Sequence, residues 1–188
     1  MFVNIRRCSP TRAAQRGVSL IEVLVAVLVF SLGLIGLASL LVVANQSNQS
    51  AYLRTQAGFL ASSMANRMRA NPIGVWDADY DATNYPQSAT LPNCSGANGC
   101  TPAQVAQRDR LMWSQMLRTF LPHAQATIAC NKSGLGYAVS AAQILQRPPY
   151  AGSCTMRITW LERGVIQEGT DTSKRKATPQ TFDWVFSP

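Results

Sequence analysis

Arg16-Gly17-Val18-Ser19-Leu20-Ile21-Glu22 decides how the rest of the chain is read, because the 22 residues after it, 23–44, carry no charge. A basic leader meets a glycine, one carboxylate stands five residues on, and the apolar run that follows is long enough to cross about 30 Å of hydrocarbon as a helix. An ordinary membrane anchor has no use for an acid there. An ionised carboxylate at the hydrocarbon edge is costly unless it finds a partner. Residues 1–17 read as a targeting segment outside the fold, yet not as a secretory signal of the usual kind, since the apolar run lies beyond it.

Gly17 and Glu22 at this spacing, ahead of a long apolar stretch, resemble the class III signal of type IV prepilins. The resemblance implies cleavage after Gly17 by a prepilin peptidase, with Val18 as the new, N-methylated terminus and Glu22 as the fifth mature residue. It also implies a use for the acid. The amine of Val18 in one subunit would meet the Glu22 carboxylate of a neighbour, and such a pair fixes axial register.

A narrower resemblance lies at Leu60-Ala61-Ser62-Ser63-Met64-Ala65-Asn66-Arg67-Met68-Arg69-Ala70-Asn71-Pro72. This looks like the end of the long helix in PilV-type minor pilins, the type IV pilus modification proteins. Trp113, Leu117, Leu121-Pro122 and Ile158-Thr159-Trp160 agree with it more loosely. The implied fold is an α+β, pilin-like lollipop. One long helix would span the membrane with its first half and pack its amphipathic second half on a small antiparallel sheet. The implied role is that of a minor pilin that primes or modifies pilus assembly, with motility and adhesion as consequences. Implied partners are major and minor pilins, the prepilin peptidase and methylase, the inner-membrane assembly platform and the membrane itself. The location would be the inner membrane in a single pass, N-terminus cytoplasmic and domain periplasmic, and then the pilus. A minor pseudopilin of a type II secretion system shares everything up to about Ala44; the 60–72 motif favours the pilus. A DNA-binding pilin for uptake is the other alternative.

Composition sets bounds on these readings. The 188 residues divide into a leader (1–17), a transmembrane assembly helix (18–44) and a globular domain (45–188), enough for one core. The formal charge is +8, but Arg6, Arg7, Arg12 and Arg16 supply four of it, leaving +4 beyond the leader. Basicity is thus chiefly a topology signal that holds the leader in the cytoplasm. Nucleic acid is not an expected partner on overall charge. Cys8 lies in the leader; Cys94, Cys100, Cys130 and Cys154 remain, an even number suited to an oxidising periplasm. They allow three pairings, of which Cys94–Cys100, a short local loop, and Cys130–Cys154, a tie between two strand-like stretches, are favoured. A four-thiolate zinc site lacks the paired short knuckles such sites use.

Along the chain, Leu53, Ala57, Leu60, Met64 and Met68 fall at steps of four, three, four and four, an apolar stripe on one helix face, with Arg54, Arg67 and Arg69 on other faces. Asn71 before Pro72 ends that helix near Ala70. The result is one helix of roughly 50 residues, about 80 Å long at 1.5 Å per residue. Gly33 and Gly36 within it allow close approach of neighbours, and the resemblance to pilins implies local melting on filament assembly as the other use. Residues 72–101 read as loop. Asp77, Asp79 and Asp81 have the spacing of a calcium loop without its later glycine and glutamate, where Ala82 and Ser88 stand, so a solvated acidic turn is expected. Thr101-Pro102-Ala103-Gln104 opens a second helix. Val105, Met112, Trp113, Met116, Leu117, Phe120 and Leu121 line its apolar face, and Pro122 ends it. Asp109, near that face, is expected to pair with Arg108, Arg110 or backbone. Strands follow at 126–130, 135–140, 154–161 and 181–186, with an exposed loop over 167–179.

No enzyme is expected, and no cofactor or metal. His123 is the only histidine and sits at a helix end. Ser153 has no evident base, and Glu162 and Glu168 read as solvated acids flanking a turn. Lys174-Arg175-Lys176 reads as a solvated loop; in the DNA-binding alternative it would touch phosphates, especially near Trp160 or Trp184.

Overall fold

The computed structural model describes residues 17–94, 99–132, 139–163 and 177–188. Helix α1, Leu20–Ala70, is unbroken for 51 residues. Its chain falls into two units, one of 1–44 and one of 45–188. In the second unit the predicted stripe is the buried stripe: Leu53, Ala57, Leu60, Met64 and Met68 are buried, joined by Ala61 and Ala65. Small residues beside the large ones let other elements approach the helix closely. The other elements are α2 (Pro72–Trp76), β1 (Ala82–Tyr85), α3 (Pro102–Phe120), β2 (Gln125–Asn131), α4 (Ala141–Ile144), β3 (Ser153–Arg163) and β4 (Ala177–Phe186). The fold is α+β.

The four strands form one antiparallel sheet in the order β1-β2-β3-β4. Alternation explains which face turns inward. Cys154, Met156, Ile158 and Trp160 of β3 are buried, with Ala126 and Ile128 beside them on β2, while Thr155 and Arg157 are exposed. Register places Ile128 opposite Met156 and Ile158 opposite Phe182, so apolar pairs stack across the ladder. On the other face, Arg157 and Asp183 are opposite each other and form an ion pair at 2.6 Å.

Helix α3 starts as its sequence dictates. The Thr101 hydroxyl accepts Gln104 N–H, and the Gln104 side chain accepts Thr101 N–H in return, which satisfies two otherwise orphaned donors. Trp113, Leu117 and Leu121 are buried in the common core, and the Trp113 indole donates to Leu60 O of α1 at 2.9 Å. Met112 and Phe120 depart from the expected face: they are about two-fifths exposed, and the small Ala106 and Ser114 take the buried positions.

Two further expectations change, and one lies mostly outside the described residues. Residues 72–101 are not all loop, because α2 and β1 lie within them. The 135–140 strand falls mostly outside the described residues, and Ser140 caps α4. Ala177, Thr178 and Pro179 belong to β4, paired with Arg163, Glu162 and Leu161. Because β4 is an edge strand, a proline there removes no ladder bond that the sheet needs.

Candidate functional site

Gly17, Val18 and Ser19 precede α1 in non-helical backbone. Ser19 starts the helix, its carbonyl accepting the N–H groups of Glu22 at 3.0 Å and Val23 at 3.2 Å. Glu22 thus stands in the first turn, where the positive end of the helix dipole favours a carboxylate. A Cβ added at Gly17 would meet nothing within 4 Å. Packing among the described residues does not ask for glycine there.

From Val18 onward this unit is exposed throughout, with mean hydropathy 2.7 over its most apolar window. Only lipid or other chains can cover such a surface. The polar side chains inside the run are already satisfied: Ser31 donates to Leu28 O and Ser39 to Gly36 O. Glu22 has no comparable partner among the described residues. Gly33 and Gly36 have open space where a Cβ would be, leaving the helix backbone accessible to a neighbour.

At the far end of α1 the 60–72 motif resolves into structure. Leu60, Ala61, Met64, Ala65 and Met68 are core. Arg67 donates to Asp109 Oδ1 at 2.8 Å, and the Tyr80 hydroxyl donates to Asp109 Oδ2 at 2.9 Å. Asp109 therefore does not pair with Arg108, Arg110 or backbone as the sequence suggested. Its partners come from a helix 42 residues away and from the turn before β1. Asn71 completes the network: its amide donates to Tyr80 Oη and Pro102 O, and its oxygen accepts Gly74 N–H to cap α2. Burial raises the Tyr80 pKa, so the phenol stays a donor at any physiological pH.

The acidic turn is also more engaged than expected. Both Asp81 oxygens accept the Cys130 N–H, and burial raises the Asp81 pKa despite that bond and the nearby Lys132. Asp79 is raised too, first by burial and then by Asp77. No group of three or more potential metal ligands lies among the described residues. The four cysteines form disulfides Cys94–Cys100 and Cys130–Cys154, the second joining directly opposed residues of β2 and β3. Thiols so bonded offer zinc nothing.

The remaining candidates scatter. His123 is exposed at a positive φ of 50° just after α3. Glu162 is not a solvated turn residue but part of β3, accepting from Ser50 and from the Trp160 indole, both at 2.9 Å. Trp160 is buried in the core and cannot stack on a base, and Trp184 packs against Phe186. Glu168 and the 174–176 charges lie outside the described residues. What the described residues bring together is a bare helix with one acid at its start and a firmly tied domain.

Comparison with known proteins agrees in kind. Residues 12–38 match the prokaryotic N-terminal methylation motif, and residues 39–111 match the family described as type IV pilin Tt1218. The second match runs from the anchor through the buried stripe and the Asn71 cap to just past Asp109. No curated protein and no solved structure matched the chain.

Proposed function

The chain is a type IV pilin, and on that footing we propose that it serves as a minor subunit of the pilus, a structural protein and not an enzyme. In this reading it sits in the inner membrane with its leader in the cytoplasm, is cut after Gly17 and methylated on Val18. It then joins major and minor pilins at the assembly platform to prime or modify the filament, with effects on motility and adhesion. The family match over 39–111 supports a pilus over a type II secretion pseudopilus. The observation that carries the role in assembly is the lone Glu22 at the head of an exposed apolar helix whose other polar groups are satisfied. In a packed filament it is the available acid for a neighbour's Val18 amine, and an unpaired amine in hydrocarbon is costly.

The test has two parts. Mass analysis of the mature protein should give a chain that begins at Val18 and carries one added methyl. Glu22→Ala and Glu22→Gln should leave cleavage and membrane insertion nearly unchanged, yet sharply lower the ratio of this protein in sheared pili to that in the membrane. Glu22→Asp should restore part of it. A mature chain beginning at Met1 would overturn the processing step. Glu22→Ala entering filaments as well as the parent would overturn the charge pair.

A further inference from the structure

Among the described residues the domain holds a pocket that neither the core nor the assembly helix explains. It has a volume of about 280 Å³ and lies where α1 ends, lined by Met68, Arg69, Pro72 and Val75 on one side and Arg147, Pro149, Tyr150 and Pro188 on the other. Met68 and Val75 are buried core residues and give it an apolar floor. The prolines on its walls are stiff, so the shape is largely preset, as ligand sites tend to be.

Two arginines, Arg69 and Arg147, line this space, and both are exposed. Arg69 donates to Asn66 Oδ1 and Ser187 O, both neutral acceptors that leave its charge uncompensated and further N–H groups free. Arg147 makes no side-chain hydrogen bond among the described residues. Neither guanidinium is ion-paired among the described residues, where the ion pairs are those of Arg67 with Asp109 and Arg157 with Asp183. Arg147 also adopts a positive φ of 54°, a backbone region that long side chains rarely occupy. Its carbonyl neighbour Pro148 accepts the Trp76 indole N–H at 3.1 Å, which fixes the 147–150 segment against α2.

We propose that this pocket binds a carboxylate carried on a single apolar group, about the size of one amino-acid side chain. The floor buries the apolar part, and the unpaired Arg69 and Arg147 take the acid by charge-assisted hydrogen bonds. The acid can be free or the last residue of a peptide, because the chemistry presented to the pocket is the same. A long peptide is not accommodated in this volume.

The experiment uses the full chain in detergent micelles, ¹⁵N-labelled at tryptophan. The readout is the indole N–H of Trp76, which adjoins the pocket through Pro148 and packs edge-on against Tyr150 at 4.9 Å. Phenylacetate should shift that signal saturably, and phenylacetamide, of equal size but uncharged, should not. N-acetyl-Gly-Gly-Phe against its C-terminal amide distinguishes a peptide end from a free acid: tighter binding of the peptide acid identifies a chain end as the source, and tighter binding of phenylacetate a free acid. Arg147→Asn, chosen because asparagine tolerates positive φ, should weaken phenylacetate binding about tenfold or more while leaving the unliganded Trp76 signal in place. Arg69→Gln is the second variant, with the same expectation. Equal shifts from acid and amide, or an Arg147→Asn chain that binds like the parent, would overturn the proposal. Filament incorporation is a separate readout and need not change in either variant.

Discussion

Removing the carboxylate of Asp109 tests the joint between α1, the turn before β1 and α3. The side chain of Asp109 is 13% exposed and that of Arg67 27%, so the pair is largely out of water. Breaking a fully buried pair from one side costs about 3–5 kcal/mol. Partial exposure of Arg67 lets its freed guanidinium reach solvent, which lowers that to about 2 kcal/mol. The Tyr80 hydroxyl loses its acceptor as well, adding about 1 kcal/mol. Asp109→Ala should thus destabilise the domain by about 3 kcal/mol, or lower its melting temperature by about 10 °C. Arg67→Met should cost about as much, since it leaves the more buried Asp109 carboxylate with Tyr80 but no countercharge. The double variant should cost less than the sum of the two by at least about 1 kcal/mol, because the pair is lost only once. Near-UV circular dichroism of the full chain in detergent, followed against urea and temperature, measures all four corners of the cycle. Additive losses, or an Asp109→Ala cost under about 1 kcal/mol, would show that the network is incidental to the fold.

Two other outcomes follow from single groups. The folded chain holds the Asp81 proton more tightly than the unfolded chain does, so the contribution of Asp81 to stability shrinks as pH rises from the ordinary carboxylate range through its raised folded value. Asp81→Asn keeps an acceptor for Cys130 N–H and should flatten that dependence, visible as a gap between parent and variant urea midpoints that changes from pH 3 to pH 7; a constant gap refutes it. The Tyr150 hydroxyl is buried without a hydrogen-bond partner among the described residues, so Tyr150→Phe should be neutral or stabilise by up to about 1 kcal/mol. A loss of that size in a thermal melt would mean that the hydroxyl is held by a bond after all.

Much of this architecture was legible because it is periodic or locally encoded. The stripe from Leu53 to Met68 repeats at helical spacing, the β3 alternation has period two, and the α3 cap depends on residues only three apart. All three signals live within one element. Asp109 was misassigned because its neighbours in sequence, Arg108 and Arg110, compete on paper with Arg67, which only the packing of two helices brings near. Helix α2 and strand β1 have five and four residues, too short to show a period, and are held by Asn71, Tyr80 and Tyr85 through long-range contacts. The proline in β4 hid a strand since edge position, which makes it tolerable, is a property of the sheet. Glu22 and Gly17 stood out for the opposite reason: nothing local explains them.

The Cys130–Cys154 bond spans 24 residues of sequence and encloses α4 and the 147–150 segment. A peptide bond cut anywhere inside that span leaves two fragments still joined by sulfur at the end of the β2–β3 ladder. Strand order survives, and the fragments cannot diffuse apart. Wherever a protease meets the domain, a nick there is a scar and not a severance, so the loop that forms one wall of the Arg69–Arg147 pocket can vary or be cleaved without shedding the domain.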